Sequence, residues 1–316
     1  MTTTELDYAP GTTSFAEEAI EGLTQTPKTL PCKFFYDARG SELFDRICEL
    51  EEYYPTRTEM GIMQRHAREM SDLLGAHCRL VEYGSGSSLK TRVLLDHARH
   101  LAAYVPMDIS REHLGRTASG LERAYPQVPI LPVCADYTQP FDLPAVRAAR
   151  TVVYFPGSTV GNFAPPQARE FLAQIAQVCG RGGGLLIGVD LKKSPALLEP
   201  AYNDRDGVTA AFNLNLLTRM NRELDADFDL TQWAHHAFYN TQLGRIEMHL
   251  VSLSPQTVTI GWERIAFRAG EHIHTESSYK YALDEFARLA ESAGLTVQRV
   301  WTDKDQLFSV QYLTVA

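Results

Sequence analysis

The feature that most constrains this chain is a short buried-strand pattern that runs straight into small residues. Cys78-Arg79-Leu80-Val81-Glu82-Tyr83 is followed by Gly84-Ser85-Gly86-Ser87-Ser88, and a helical pattern starts near Leu89. Glycine at such a junction lets the backbone turn tightly and pass close to a ligand with no side chain in the way. The unit reads as the opening strand and helix of a nucleotide-binding α/β sheet. Further apolar runs at 104–107, 130–134, 151–155 and 184–189 are separated by helical stretches such as 111–124 and 166–179. Strands alternating with helices imply a parallel, doubly wound sheet.

The pattern changes after Asp190. Residues 192–228 read as mostly helical, and 237–268 alternate as antiparallel strands do, with IEMHLVSL and VTIGWERIAF the clearest cases. A second, α+β region is therefore expected as an insertion. The chain then ends in helix, strand, turn and strand. Before the sheet, the first dozen residues lack apolar periodicity and read as a loose tail. A helical pattern runs from Thr58 to about Leu74, and residues 27–55, dense in aromatics, suit a pocket lining or a core cap.

Composition narrows the partners. With 30 Lys+Arg against 39 Asp+Glu, a formal charge of −9, and no basic tract, nucleic acids and anionic membranes are disfavoured. The five cysteines, Cys32, Cys48, Cys78, Cys134 and Cys179, form no C-x-x-C pair, which argues against a disulfide framework or a zinc site and for a reducing, cytoplasmic setting. The N-terminus has no basic-then-apolar leader, and no run of about 18 apolar residues is present to span a bilayer. The histidine pairs His235-His236 and His272/His274 lack an accompanying Cys or Asp array with ligand spacing, so no metal is expected.

Two acidic positions add to the Gly-rich turn. Asp108 ends the second apolar run and Asp136 the third. A carboxylate at the tip of the second strand can accept both ribose hydroxyls, and one at the tip of the third can accept the adenine amino group. Alternatively, Asp108 caps the following helix. Tyr137 either packs on the adenine or is a plain core aromatic. A dinucleotide is disfavoured, because counting G-x-G-x-x-G from Gly84 puts Leu89 where the third glycine belongs.

The segments LPCKFFYDARGSELFDRICEL, EYYPTRTE, VEYGSGSSLKTRVLL, YFPGSTVGNF, YNDRDGVTAAFNLNLL and HTESSYKY together resemble the histidine-specific N-α-methyltransferases of ergothioneine biosynthesis, along nearly the whole chain. The resemblance implies a class I methyltransferase domain, residues 58–192 with 281–316, and an α+β substrate-binding domain, residues 12–57 with 193–280. It implies S-adenosylmethionine held by Gly84, Lys90, Asp108, Asp136 and Tyr137. Histidine would be held by Tyr53, Asn162, Tyr202, Glu276 and Ser278, with Tyr36 near the reacting amine, and three methyl groups would be placed on its α-nitrogen. Tyr36 and Asn162 are thereby the candidate catalytic residues, and a monomer is expected. Ser277 and Tyr279 depart from the family pattern beside the ring-binding positions.

The chemistry fits those residue types. Methyl transfer from a sulfonium to an amine is an in-line displacement that needs an aimed lone pair, so positioning carries the catalysis. The Asn162 amide offers both donor and acceptor, tyrosine hydroxyls donate to a carboxylate without adding charge, and Glu276 with Ser278 can pair the two imidazole nitrogens. Other readings of the same residues are a methyltransferase for another amino acid or for a ring nitrogen, and a non-catalytic S-adenosylmethionine-binding protein.

Overall fold

A computed structural model describes residues 6–8, 12–86, 88–98 and 100–315. Ser87, part of the Gly/Ser turn, and the first five residues of the expected tail lie outside them. In chain order the strands are β1 (Leu6–Tyr8), β2 (Lys28–Thr29), β3 (Cys78–Tyr83), β4 (Ala103–Asp108), β5 (Val133–Ala135), β6 (Arg150–Phe155), β7 (Gly184–Asp190), β8 (Trp233–Asn240), β9 (Arg245–Ser252), β10 (Gln256–Ile260), β11 (Glu263–Phe267), β12 (His272–Tyr279), β13 (Leu295–Thr302) and β14 (Phe308–Val315). The helices are α1 (Thr12–Thr24), α2 (Ala38–Glu49), α3 (Tyr54–Leu74), α4 (Leu89–Leu95), α5 (Arg111–Ala124), α6 (Pro165–Cys179), α7 (Pro195–Leu198), α8 (Val208–Glu223) and α9 (Leu283–Ser292). They form two compact units: Met1–Ala9, Pro55–Lys192 and Tyr279–Ala316 make the first, and Pro10–Tyr54 with Lys193–Ser278 the second.

The first unit is built on an eight-stranded sheet in the order β1-β5-β4-β3-β6-β7-β14-β13. β5, β4, β3, β6 and β7 run parallel, and β14 joins β7 antiparallel. This is the class I methyltransferase arrangement: a doubly wound parallel sheet with an antiparallel end, and the order reversing beside β3. Alternation along each strand feeds two cores. Val81, Val105, Val153 and Ile187 pack on one face with Phe171 and Ile175 of α6, while Leu80, Tyr104, Val152 and Leu186 pack on the other with Met63 and Met70 of α3. Because both faces are covered, the central strands read as continuous apolar runs.

Three local expectations are corrected. The tail does not stay loose throughout, since Leu6–Tyr8 pairs parallel with Val133–Ala135 and covers the sheet edge. Three residues are too few to show a period. The third parallel strand begins at Val133 rather than 130: Ile130 makes an isolated bridge to Tyr104, and the ladder breaks at Pro132, which has no N–H to donate. α3 starts at Tyr54, four residues before Thr58, with Pro55 in its first turn, where the missing N–H costs nothing.

The second unit packs α8 on a four-stranded sheet of order β2-β12-β9-β8, with β10 and β11 as a separate hairpin. Phe212, Leu216 and Met220 recur at helical spacing on α8 and are buried. Asp204 Oδ2 and Oδ1 accept the N–H groups of Val208 and Thr209, both at 2.8 Å, closing the helix start. Asn213 of α8 ties to the sheet by donating to the His249 carbonyl at 3.0 Å and accepting from the Thr275 hydroxyl at 2.8 Å. Met248 is core, as its alternating context implies.

Gly188 is among the positions of the first unit that leave no room for a side chain. A Cβ on Gly188 of β7 would fall directly on Glu59 Oε1 of α3, which is fully buried. Gly188→Ala is therefore expected to destabilise the fold by about 1–3 kcal/mol through overpacking, read as a lowered denaturation midpoint. An unchanged midpoint would show that the Glu59 carboxylate is free to move aside.

Candidate active site

The turn after β3 takes its shape from Gly84 and Gly86, whose φ angles of 71° and 46° lie in the left-handed region. The N–H groups of Gly84 and Ser85 both donate to the Met107 carbonyl at 2.9 Å, locking the turn to the end of β4. There Asp108 accepts the Gly86 N–H at 3.1 Å on Oδ2 and the Ser110 N–H at 2.9 Å on Oδ1. Each oxygen keeps lone-pair capacity for a further donor such as a ribose hydroxyl. Burial pushes the Asp108 carboxyl above its ordinary value, a shift that its N–H donors oppose.

Asp136, buried at the end of β5, takes both the N–H and the hydroxyl of Thr138 on Oδ1, at 2.9 and 2.5 Å. Tyr137 lies parallel to Tyr83, with ring centroids 5.3 Å apart, and edges onto Phe155. A Cβ on Gly84 would meet only the Tyr137 ring, at 3.9 Å, and one on Gly86 would meet nothing within 4 Å. Gly84, Asp108, Asp136 and Tyr137 are thus gathered at the carboxyl ends of β3, β4 and β5. A nucleoside fits this donor set: backbone approach without Cβ atoms, a carboxylate for the ribose, a carboxylate for a base amine and an aromatic wall.

Lys90 and Asn162 belong to a neighbouring cluster. The Lys90 ammonium pairs with Glu59 Oε2, and both Glu59 oxygens accept the Gly157 N–H, at 3.1 and 3.0 Å. Gly157 and Ser158, both at positive φ, lead into the 3-10 turn Thr159–Asn162, which places Asn162. The turn is fixed from two further sides. Ser158 Oγ accepts the Asp190 N–H at 2.8 Å, and Gly161 lies so close to Tyr279 that a Cβ would come within 2.6 Å of its carbonyl oxygen. Beside Tyr279, Lys280 pairs with Asp190 at 2.9 Å, both side chains being almost fully buried.

The remaining expected residues lie in the second unit. The Tyr202 hydroxyl donates to Ser278 Oγ at 3.0 Å, and the Tyr202 ring stands edge-on to Tyr53, centroids 6.2 Å apart. Tyr53 in turn meets Phe44, which meets Tyr36 at 5.6 Å. Burial, reinforced by Tyr202, Cys48, Tyr36 and Glu276, holds the Tyr53 phenol well above its usual range, so it is a neutral donor. Tyr36, Tyr53, Tyr202 and Ser278 therefore lie in one neighbourhood, and Glu276 is close enough to act on the Tyr53 phenol. His235 supports it from behind: Nε2 lies 2.8 Å from the Tyr202 carbonyl and Nδ1 2.9 Å from Asn213.

Two residues escaped assignment from sequence although both sit in motifs that drew notice. Glu59 shares the apolar face of α3 with Ile62, Met63 and Met70, and a lone carboxylate in such a stripe signals a paired buried charge. Glu82 is buried at the end of β3 and accepts from Thr91 Oγ1 and the Tyr104 hydroxyl. Burial pushes its carboxyl up to about 8.

Residues 15–315 match the model of the S-adenosylmethionine-dependent, histidine-specific methyltransferases. The chain belongs to this family. It is 42% identical over 300 residues to the histidine N-alpha-methyltransferase of Mycobacterium tuberculosis (strain CDC 1551 / Oshkosh), covering 93% of this chain and 92% of that protein. It is 43% identical over 288 residues to the protein of the same name from Mycolicibacterium smegmatis, covering 89% of each. Ergothioneine biosynthesis protein 1 of Neurospora crassa is 33% identical over 285 residues, which are 87% of this chain and 32% of that longer protein. S-adenosylmethionine is accordingly the methyl donor of this family member.

Asp108→Ala removes a charged acceptor at the tip of β4. It is expected to weaken S-adenosylmethionine binding about 10- to 100-fold, the equivalent of about 1.5–3 kcal/mol for a hydrogen bond to a charged group, as read by titration calorimetry. Unchanged affinity would remove Asp108 from the ribose role.

Proposed function

We propose that this chain methylates the α-amino nitrogen of histidine, three times in succession, giving the trimethylated amino acid that leads towards ergothioneine. The observation that carries the reading is the gathering of Tyr53, Tyr202 and Ser278, with Glu276 close enough to act on the Tyr53 phenol, in one unit of a histidine-specific methyltransferase. S-adenosylmethionine, when bound, supplies an electrophilic methyl carbon. Gly84, Lys90, Asp108, Asp136 and Tyr137 hold that donor, and the chain's remaining task is to present a neutral amine in line with it.

Glu276 accepts an imidazole N–H, and Ser278 pairs the other ring nitrogen. A side chain without two polar ring atoms would leave these groups unpaired, which is how such a site rejects other amino acids. The Tyr53 and Tyr202 hydroxyls donate to the substrate carboxylate; Tyr53 stays protonated in this role because burial opposes its ionisation. Asn162, fixed by the Gly157–Gly161 turn, accepts from the amine and orients its lone pair. Tyr36 relays the amine protons that must leave before each transfer. No divalent cation is needed for a displacement of this kind.

The acidic balance of the chain, −9 overall, favours a small-molecule substrate over nucleic acid. Among the described residues no helix is long and apolar enough to cross a membrane. A cytoplasmic monomer is the setting that we propose.

The test is incubation of purified protein with S-adenosylmethionine and each amino acid separately, followed by mass fragmentation of the products. Histidine carrying one, two and three methyl groups, all on the α-nitrogen, is the expected outcome. In Glu276→Ala the KM for histidine should rise at least tenfold while cofactor affinity holds. Preferred turnover of another amino acid, or methylation of a ring nitrogen, would overturn the substrate assignment.

A further inference from the structure

The four-stranded sheet of the second unit has two unlike faces. One carries Ile246, Met248, Leu250 and Ile273, all buried. The other gathers histidines from three strands. His236 on β8 is directly opposite His249 on β9, the rings of His249 and His274 lie 5.1 Å apart, and His272 lies 5.3 Å from His249. Glu247, two residues before His249, joins this group. One ligand atom from each of Glu247, His249 and His274 lies within 4.8 Å of the others.

The carboxylate is prepared in a way that ordinary surface glutamates are not. Glu247 is 7% exposed. Its Oε1 takes Arg245 Nε at 2.8 Å and Asn240 Nδ2 at 3.0 Å, while Oε2 is turned to His249 Nε2 at 3.1 Å. Partners on the outer oxygen orient the inner one, as supporting groups do around metal ligands. His274 is likewise braced, its Nε2 lying 3.1 Å from the Ser277 hydroxyl. His249 meets Glu247 through Nε2, so that ring nitrogen is the one aimed at the cluster.

We propose that Glu247, His249 and His274 form a binding site for a divalent transition-metal ion, beside the β12 segment that bears Glu276 and Ser278 but made of other side chains. The 3.1 Å between His249 Nε2 and Glu247 Oε2 is close to the edge of a tetrahedron of about 3.4 Å that follows from zinc–ligand distances of about 2.1 Å. Imidazole donors with one carboxylate select zinc, cobalt, nickel or copper over magnesium and calcium, which take oxygen ligands. The Arg245 guanidinium on Glu247 strengthens that preference, since it reduces the carboxylate's negative charge and leaves the nitrogen donors to dominate. Exposed His272 and solvent are at hand for the remaining positions. An ion held here would tie β9 to β12, the strand that also bears Glu276 and Ser278.

The test uses the full-length, tag-free chain after chelator treatment, titrated calorimetrically with Zn²⁺. One ion per chain should bind, and His249→Ala and His274→Ala should each weaken binding at least tenfold while retaining histidine turnover. Because His249 packs on Phe238, a second readout guards against misfolding: ring-nitrogen NMR of the unaltered protein, in which Zn²⁺ should shift His249 and His274 ahead of the other histidines. Failure of the unaltered chain to bind Zn²⁺, equal binding by the variants, or shifts confined to other histidines would each overturn the proposal.

Discussion

A single buried carboxylate holds together the part of the first unit on which the rest of the site depends. Glu59 has no exposed surface, yet it meets the Lys90 ammonium and the Gly157 N–H, and β7 leaves room for it by having glycine at 188. Removing a charge from water is expensive unless it is paired and hydrogen-bonded, so these partners are requirements and not ornaments. The consequence is geometric. One side chain fixes the start of α4, beside the Gly-rich turn, and the turn after β6 that ends in Asn162.

Around that anchor the site is made largely of main-chain geometry. Gly84, Gly86, Gly157 and Ser158 occupy positive φ; the N–H groups of the three glycines are bound to Met107, Asp108 and Glu59, and the Ser158 hydroxyl accepts the Asp190 N–H. A reaction that consists of aiming a lone pair gains most from such rigidity. The second unit has a neighbourhood of its own made of side chains: Tyr53, whose phenol burial holds neutral, with Tyr36, Tyr202, Ser278 and Glu276, lined by Phe44 and Phe212.

The parallel sheet was legible in the sequence because its strands are buried on both faces and separated by helices, so apolar runs and helical periods alternate visibly. The acidic strand ends Asp108 and Asp136 were legible for the same reason, each following such a run. What escaped notice had no local signature. Leu6–Tyr8 is a strand only because β5 offers it an edge. The break before Val133 depends on Pro132 falling where the ladder needs a donor. Glu59 stood in a recognised segment, but its partners lie 31 and 98 residues away. The His249–His274 pair shows the same limit: each strand carries only part of the set, and only the neighbouring positions of β9 and β12 bring the rings together.

The most direct test of the anchoring role is the S-adenosylmethionine affinity of Glu59→Gln, measured by titration calorimetry. The amide keeps the volume but loses the charge that binds Lys90 and holds Gly157. The account predicts at least a tenfold loss of cofactor affinity in a chain that still folds. Affinity equal to that of the unaltered protein would contradict it, and would mean that Lys90 and the Gly157 turn keep their places without the buried carboxylate.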